Sequence, residues 1–249
     1  MQKNKRLRVF AGPNGSGKST LFDEFKKLYD PGYFINADEI EKQLCNNGLI
    51  ELQNFGLKAT NNEFVAFMNT KETRSLIVKS LAEGYNINIE LKKNCIFYTS
   101  NDSHSYEASF VAAFIRWLLL KNGKSFSFET VMSHYSKIEE IKMARRKGYK
   151  TYLYFVCTDN PEINVSRVSN RVVKGGHQVD DAKIRSRYPE TLQNLYPAIK
   201  LSNRAYLFDN SGKELLLIAE VYEGLLQLKI TQLPQWFLDY VLPNFQQRK

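Results

Sequence analysis

Leu7-Arg8-Val9-Phe10-Ala11-Gly12-Pro13-Asn14-Gly15-Ser16-Gly17-Lys18-Ser19-Thr20-Leu21-Phe22, near the start of this 249-residue chain, joins an apolar β-like run to a glycine-rich turn and then to a helical pattern. From Gly12 to Ser19 it fits G-x-x-x-x-G-K-[ST] at every fixed position. Glycines let backbone fold tightly around an anion with its N–H groups turned inward, and the following helix adds its positive N-terminal end. Leu21, Phe22, Phe25 and Leu28 give that helix an apolar face. A strand before and a helix after are the context that a phosphate-binding P-loop requires. The reading assigns Gly12, Pro13, Asn14, Gly15, Ser16, Gly17, Lys18, Ser19 and Thr20 to the cradle of ATP. Lys18 is expected to reach the β- and γ-phosphates, and the Ser19 hydroxyl to ligate Mg²⁺.

Further β-like runs follow at Tyr33 to Asn36, Ser125 to Glu129, Thr151 to Cys157 and Ala205 to Phe208, most of them followed by a helical pattern. Such alternation implies an α/β protein, with a parallel sheet flanked by helices on both faces. Tyr152 to Val156 is nearly all apolar, as befits a central strand covered on both sides. Glu107 to Lys121 reads as a helix, and Asn86 to Ser100 alternates weakly enough to form an extra hairpin. The whole chain, 1–249, is expected to form a single P-loop domain, with an insertion over approximately 45–105. Leu215 to Ile218 and Leu225 to Ile230, joined at Glu223-Gly224, read as a C-terminal hairpin, with a short helix from Pro234 to Val241 behind it.

The composition bounds the partners. A formal net charge of +9 favours anionic ligands. Lys and Arg are nevertheless dispersed, dense only over Lys3 to Arg8 and Lys142 to Lys150, which disfavours nucleic acid as the main ligand. Cys45, Cys95 and Cys157 show no paired spacing and suit a reducing compartment. The apolar run at Ala112 to Leu120 is broken by Arg116 and is far too short for a membrane span. No leader is evident before the P-loop, so a soluble cytoplasmic protein is expected.

Two acidic residues end strands. Asp38 follows the second run, where residues face the ligand crevice of a parallel sheet, and it could take the proton of an acceptor hydroxyl. The alternative is a capping box with Glu41. Glu129 closes the third run, followed by Thr130, and could hold substrate, order the magnesium shell or pair with a nearby cation. Asn160-Pro161-Glu162 starts a helix with Val165, Val168 and Val172 on one face and Arg167, Arg171 and Lys174 on nearly the opposite one. Gly175-Gly176 breaks it before His177 and a second helix with Arg185 and Arg187. These lid-like helices, approximately 160–190, suit a cationic clamp on the transferred phosphoryl group, or else present a solvated face. Asp209-Asn210-Ser211-Gly212 is a turn by composition that could border the adenine.

Taken in order, Ala11 to Thr20, Asn36-Ala37-Asp38, Ser127 to Thr130, Asn160-Pro161-Glu162, Arg171 with Lys174 to His177, Arg187-Tyr188 and Asp209-Asn210-Ser211 resemble the zeta-toxin superfamily. The likeness is strongest to a bacterial branch often labelled ABC-type ATPases. It covers residues 6 to 40 and about 106 to 212. The P-loop is generic, whereas Gly-Gly-His ahead of Arg-Tyr is specific. The resemblance implies a nucleoside-monophosphate-kinase-like P-loop fold that uses ATP and Mg²⁺ to phosphorylate a hydroxyl of a small molecule. For better-known members the acceptor is UDP-N-acetylglucosamine, and an antitoxin protein restrains the enzyme. By the same resemblance Asp38 is the base, Glu129 and Thr130 lie on the substrate side, and Arg167 and Arg171 clamp phosphate beside Lys18. The insertion replaces the region where a sugar nucleotide would sit, so the acceptor stays open. A P-loop ATPase serving as a nucleic-acid-associated switch, or a nucleotide-binding module without catalysis, are the competing readings. The former wants a Walker B acid followed by a catalytic Glu, and a basic platform, and the sequence shows neither; an ABC-type ATPase would also need a Leu-Ser-Gly-Gly-Gln signature, which is absent from it.

Overall fold

A computed structural model describes residues 5–99, 105–173, 175–176 and 178–246. Strands β1 (Arg6–Ala11), β2 (Tyr33–Ile35), β3 (Leu49–Glu51), β4 (Ile89–Lys92), β5 (Cys95–Tyr98) and β6 (Phe126–Thr130) come first along the chain. They are followed by β7 (Lys150–Cys157), β8 (Arg204–Asp209), β9 (Leu216–Tyr222) and β10 (Leu225–Leu228). The principal helices are α1 (Lys18–Leu28), α2 (Ala37–Asn47), α3 (Asn61–Met68), α4 (Lys71–Ala82) and α5 (Ser105–Lys121). After them come α6 (Ser136–Arg146), α7 (Pro161–Val173), α8 (Asp181–Gln193), α9 (Leu195–Leu201) and α10 (Gln235–Tyr240). By their contacts the residues form two compact units, 1–31 with 127–249, and 32–126.

In the first unit the strand order is β10-β9-β8-β7-β1-β6. β1 pairs with β7 and β7 with β8, both parallel, with Ala11 opposite Phe155 and Leu207 opposite Phe155 on the other side. Leu153, Phe155, Val156 and Cys157 of β7 are wholly buried, which is why this run reads as almost uninterrupted apolar sequence. α1 buries Phe22 and Phe25, whose rings meet Phe10 of β1 edge-on. At the far edge β9 and β10 form the antiparallel hairpin expected from sequence. Its two turn residues, Glu223 and Gly224, both have positive φ (49° and 81°), as a tight primed turn requires.

The second unit is built on α5, which is apolar on nearly every side, and Phe110, Val111, Phe114, Ile115, Leu118 and Leu119 are fully buried. Phe64 and Phe67 of α3 pack their rings against Phe110 and Phe114. The expected hairpin is present as β4–β5, with Lys93 and Asn94 both at positive φ, and β3 extends it to a three-stranded sheet in the order β3-β5-β4. The sequence reading had not shown β3, a run of three residues.

Among the described residues no helix is long and apolar enough to cross a membrane, and no group of His, Cys, Asp and Glu is gathered as for a bound metal. The three cysteines are free. Burial pushes the Cys157 thiol far up from its ordinary pKa, so it is an inert core group and no nucleophile.

Candidate active site

The turn between β1 and α1 owes its shape to three glycines. Gly12, Gly15 and Gly17 have φ of 147°, 72° and 104°, conformations that only glycine adopts without strain. A Cβ on Gly12 would overlap the carbonyl oxygen of Val156 in β7, and one on Gly15 would lie 2.7 Å from the carbonyl oxygen of Asn164 in α7. The Gly12 N–H donates to the Thr130 carbonyl (3.3 Å), tying the start of the turn to the end of β6. At its other end Gly17 is the N-cap of α1, with no side chain capping the helix.

Lys18 and Ser19 open α1 on the side of β6. The Lys18 ammonium donates to the Pro13 carbonyl (2.8 Å) and lies 3.8 Å from Glu129 Oε1. The Ser19 hydroxyl donates to Glu129 Oε2 (2.9 Å). Glu129 thus joins the two residues that close the P-loop motif. Thr130 contributes otherwise: its carbonyl holds Gly12, and its hydroxyl accepts from Met132 N–H (3.0 Å). Met132 is buried with φ of 61°, an uncommon left-handed conformation for a long side chain. Thr191 Oγ1 of α8 donates to the Val131 carbonyl (3.0 Å), and Asn194 Nδ2, between α8 and α9, to the Met132 carbonyl (3.0 Å), which holds the strained loop in place.

α7 begins as expected, with Asn160 Oδ1 accepting from Glu162 N–H (2.8 Å) ahead of Pro161. Val165 and Val168 pack on Ile184 of α8, with Val172 and Val179 beside them. Arg185 makes a bidentate pair with Glu162 (2.7 and 2.8 Å), fixing the open ends of the two helices together. That hydrogen bond pulls the exposed Glu162 carboxyl below its ordinary pKa. Arg167 donates to the Gly212 carbonyl (3.3 Å), so its guanidinium rests against the turn after β8. Arg171 is exposed, one turn further along. Gly175 N–H and Gly176 N–H close the helix on the carbonyls of Val172 and Arg171 (both 2.9 Å). Lys174 and His177 lie outside the described residues.

Asp38 sits in the second unit, in the first turn of α2, with its side chain exposed. The helix cap is Asn36, whose Oδ1 accepts from Asp38 N–H (2.8 Å), so the alternative Asp38–Glu41 capping box is not formed. Asn36 is better placed because it precedes the helix with extended backbone (φ −124°), whereas Asp38 is already helical.

Several residues hold the cradle in ways the sequence did not show: Asn164 and Trp236 were not singled out, and Asn210 and Tyr188 were quoted only within a turn and a family-like motif. Asn164, fully buried on α7, donates from Nδ2 to the Asn14 carbonyl (2.5 Å). Asn210 donates to the Ser16 carbonyl (2.7 Å). Tyr188 donates to the Thr158 carbonyl (2.5 Å) at the end of β7, and its burial raises its pKa well above the ordinary phenol value. Trp236 Nε1 donates to Asp209 Oδ1 (2.9 Å), bringing α10 to the end of β8. A buried asparagine on the valine face of a helix was the one signal available in advance.

The sheet, its flanking helices and the cradle define a P-loop kinase-like α/β fold. The crystal structure of the AvrRxo1-ORF1:AvrRxo1-ORF2 complex with sulphate ions matches with a TM-score of 0.54 at 17% identity, covering 91% of this chain and 61% of that one. The same complex with ATP gives a TM-score of 0.52 at 18% identity over the same shares. A curated relative from Haemophilus influenzae, described as an uncharacterized protein, is 30% identical over 69 residues. That match takes in 28% of this chain and 49% of the relative, so the chain spans about half the length of the curated protein it matches. No protein-family model matches.

Proposed function

We propose that this chain is an ATP-dependent kinase of zeta-toxin type, which transfers the γ-phosphate of ATP to a hydroxyl of a small metabolite, with a nucleotide-sugar such as UDP-N-acetylglucosamine as the leading candidate. One observation carries the nucleotide part: the Ser19 hydroxyl and the Lys18 ammonium converge on Glu129 at 2.9 and 3.8 Å, beside a glycine cradle that a single Cβ would obstruct. Hydroxyl and carboxylate oxygens are the donors that a hard divalent cation takes, and Ser19 with Glu129 would hold Mg²⁺ there. When bound, Mg²⁺ neutralises charge on the β- and γ-phosphate oxygens.

The remaining work falls to this chain's own residues. Backbone N–H groups of the glycine-rich turn and of the first turn of α1 bind the phosphates. Lys18 exchanges the Pro13 carbonyl for phosphate oxygen. Arg171, on the exposed side of α7, supplies a second cation to the γ-phosphoryl group as negative charge spreads over it. Arg167 orders the turn after β8 through Gly212 and stays on the nucleotide side. Asp38 accepts the proton of the attacking hydroxyl. A protein partner of antitoxin type is part of the same proposal, supported by the neighbour having crystallised as a two-protein complex.

Lys18→Ala tests the nucleotide part. Calorimetry with a non-hydrolysable ATP analogue should show binding by the wild type and its loss in the variant. Equal affinity in the two would remove the P-loop assignment.

A further inference from the structure

Two carboxamides from distant parts of the chain grip the outside of the P-loop. Asn164 Nδ2 donates to the Asn14 carbonyl at 2.5 Å, and Asn210 Nδ2 to the Ser16 carbonyl at 2.7 Å. A carbonyl can only accept, so the amide nitrogen of each asparagine must be the atom that faces it. From this pair we infer that Asn164 and Asn210 are positioning residues that set the phosphate cradle before nucleotide arrives. The inference rests on the cradle binding phosphate, as proposed above.

The reason lies in the peptide group itself. Every peptide bond of the described chain is trans, so each carbonyl and the N–H of the next residue lie in one plane and point in opposite directions. Holding the Asn14 carbonyl outward turns the Gly15 N–H inward, and holding the Ser16 carbonyl outward does the same for the Gly17 N–H. Gly15 and Gly17, free of Cβ, offer little resistance to the opposite rotation. Without the two braces those N–H groups would be ordered only at the moment of binding, and the ordering would weaken affinity.

Each brace is itself fixed. Asn164 is wholly buried and its Oδ1 accepts from the Thr158 hydroxyl, so its amide cannot turn away. Asn210 follows Asp209, whose carboxylate accepts from Ser211 N–H (3.0 Å), the Ser211 hydroxyl (2.8 Å) and Trp236 Nε1 (2.9 Å). The Ser211 hydroxyl in turn accepts from Asp159 N–H (2.8 Å). The turn after β8 is thereby tied to β7 and α10, and it presents Asn210 in one orientation.

Asn210→Asp keeps the size but replaces the donor by a carboxylate that repels the Ser16 carbonyl. Asn210→Ala removes the donor alone. Affinity for a non-hydrolysable ATP analogue, measured at pH 8, should fall about ten- to a hundredfold in Asn210→Asp and less in Asn210→Ala. Lowering the pH protonates the new carboxyl, whose pKa is raised by the facing carbonyl, and restores an O–H donor. The deficit of Asn210→Asp relative to wild type should therefore narrow toward pH 5, while that of Asn210→Ala stays constant. A merely structural role would give no such divergence. Wild-type affinity in both variants, or parallel deficits at the two pH values, would overturn the inference. A wild type that does not bind the analogue would overturn the nucleotide reading beneath it.

Discussion

Replacing Gly12 by alanine puts the geometry of the cradle under direct test. Gly12 has φ of 147°, and an added Cβ would overlap the Val156 carbonyl oxygen and stand 2.9 Å from Ser16 Oγ. The obstruction is backbone of β7, which is paired in parallel on both sides and cannot yield as a flexible side chain would. Forcing a residue with a Cβ into a glycine-only region costs about 1–3 kcal/mol, and overpacking a close-packed site costs about 1–3 kcal/mol more. Loss of unfolded-state freedom returns about 0.4–1 kcal/mol, leaving a net destabilisation of roughly 1–5 kcal/mol. At about 2–4 °C per kcal/mol for a chain of this size, the melting temperature should drop by roughly 2–20 °C. Gly48→Ala is the control: φ is 69°, yet nothing lies within 4 Å of the added Cβ, so only left-handed strain of about 1–2 kcal/mol applies. Thermal melts of the two variants, with calorimetry for an ATP analogue, decide the matter. Gly12→Ala should lose nucleotide affinity and Gly48→Ala should keep it. Wild-type ATP affinity in a folded Gly12→Ala protein would refute the reasoning.

Two further substitutions probe the helices beyond the cradle. Arg171→Ala should lower turnover by about a hundredfold with little change in ATP affinity, because its cation acts mainly on charge that develops during transfer; steady-state kinetics showing only a raised KM for ATP would reassign it to ground-state binding. Arg185→Ala removes the bidentate clasp on Glu162 but leaves the Val165, Val168 and Ile184 packing, so hydrogen exchange should quicken at the start of α7 while the global melting temperature hardly moves; unchanged exchange there would show that the valine cluster alone holds the pair.

How far the sequence could be read depended on whether the controlling interactions were local. The P-loop was legible because its glycines occupy a fixed short pattern, and β7 because an eight-residue strand buried on both faces has little room for polar residues. The two hairpins were legible from the alternation of Asn86 to Ser100 and from the Glu223-Gly224 turn; within their turns Asn94 and Gly224 are the residues that take positive φ most readily. The grip of Asn164 and Asn210 on the P-loop was illegible for the opposite reason: they reach its carbonyls across 150 and 194 residues of chain, and neither Asn164 nor the quoted turn residue Asn210 shows that contact locally. At Asp38 two capping residues competed within three positions, and backbone conformation chose Asn36. Arg167 was legible as a cation on one helix face, but its attachment to Gly212 spans 45 residues and follows no local rule.

Transfer of labelled γ-phosphate from ATP tests the central claim most directly. Purified protein incubated with Mg²⁺, labelled ATP and a panel of hydroxyl-bearing metabolites that includes UDP-N-acetylglucosamine should label one acceptor class. Asp38→Asn should stay folded and bind ATP with unchanged affinity while labelling nothing, since an amide cannot take the acceptor's proton. Labelling by Asp38→Asn at the wild-type rate would contradict the role of Asp38. Release of the label only as inorganic phosphate, with no acceptor phosphorylated, would contradict the kinase reading.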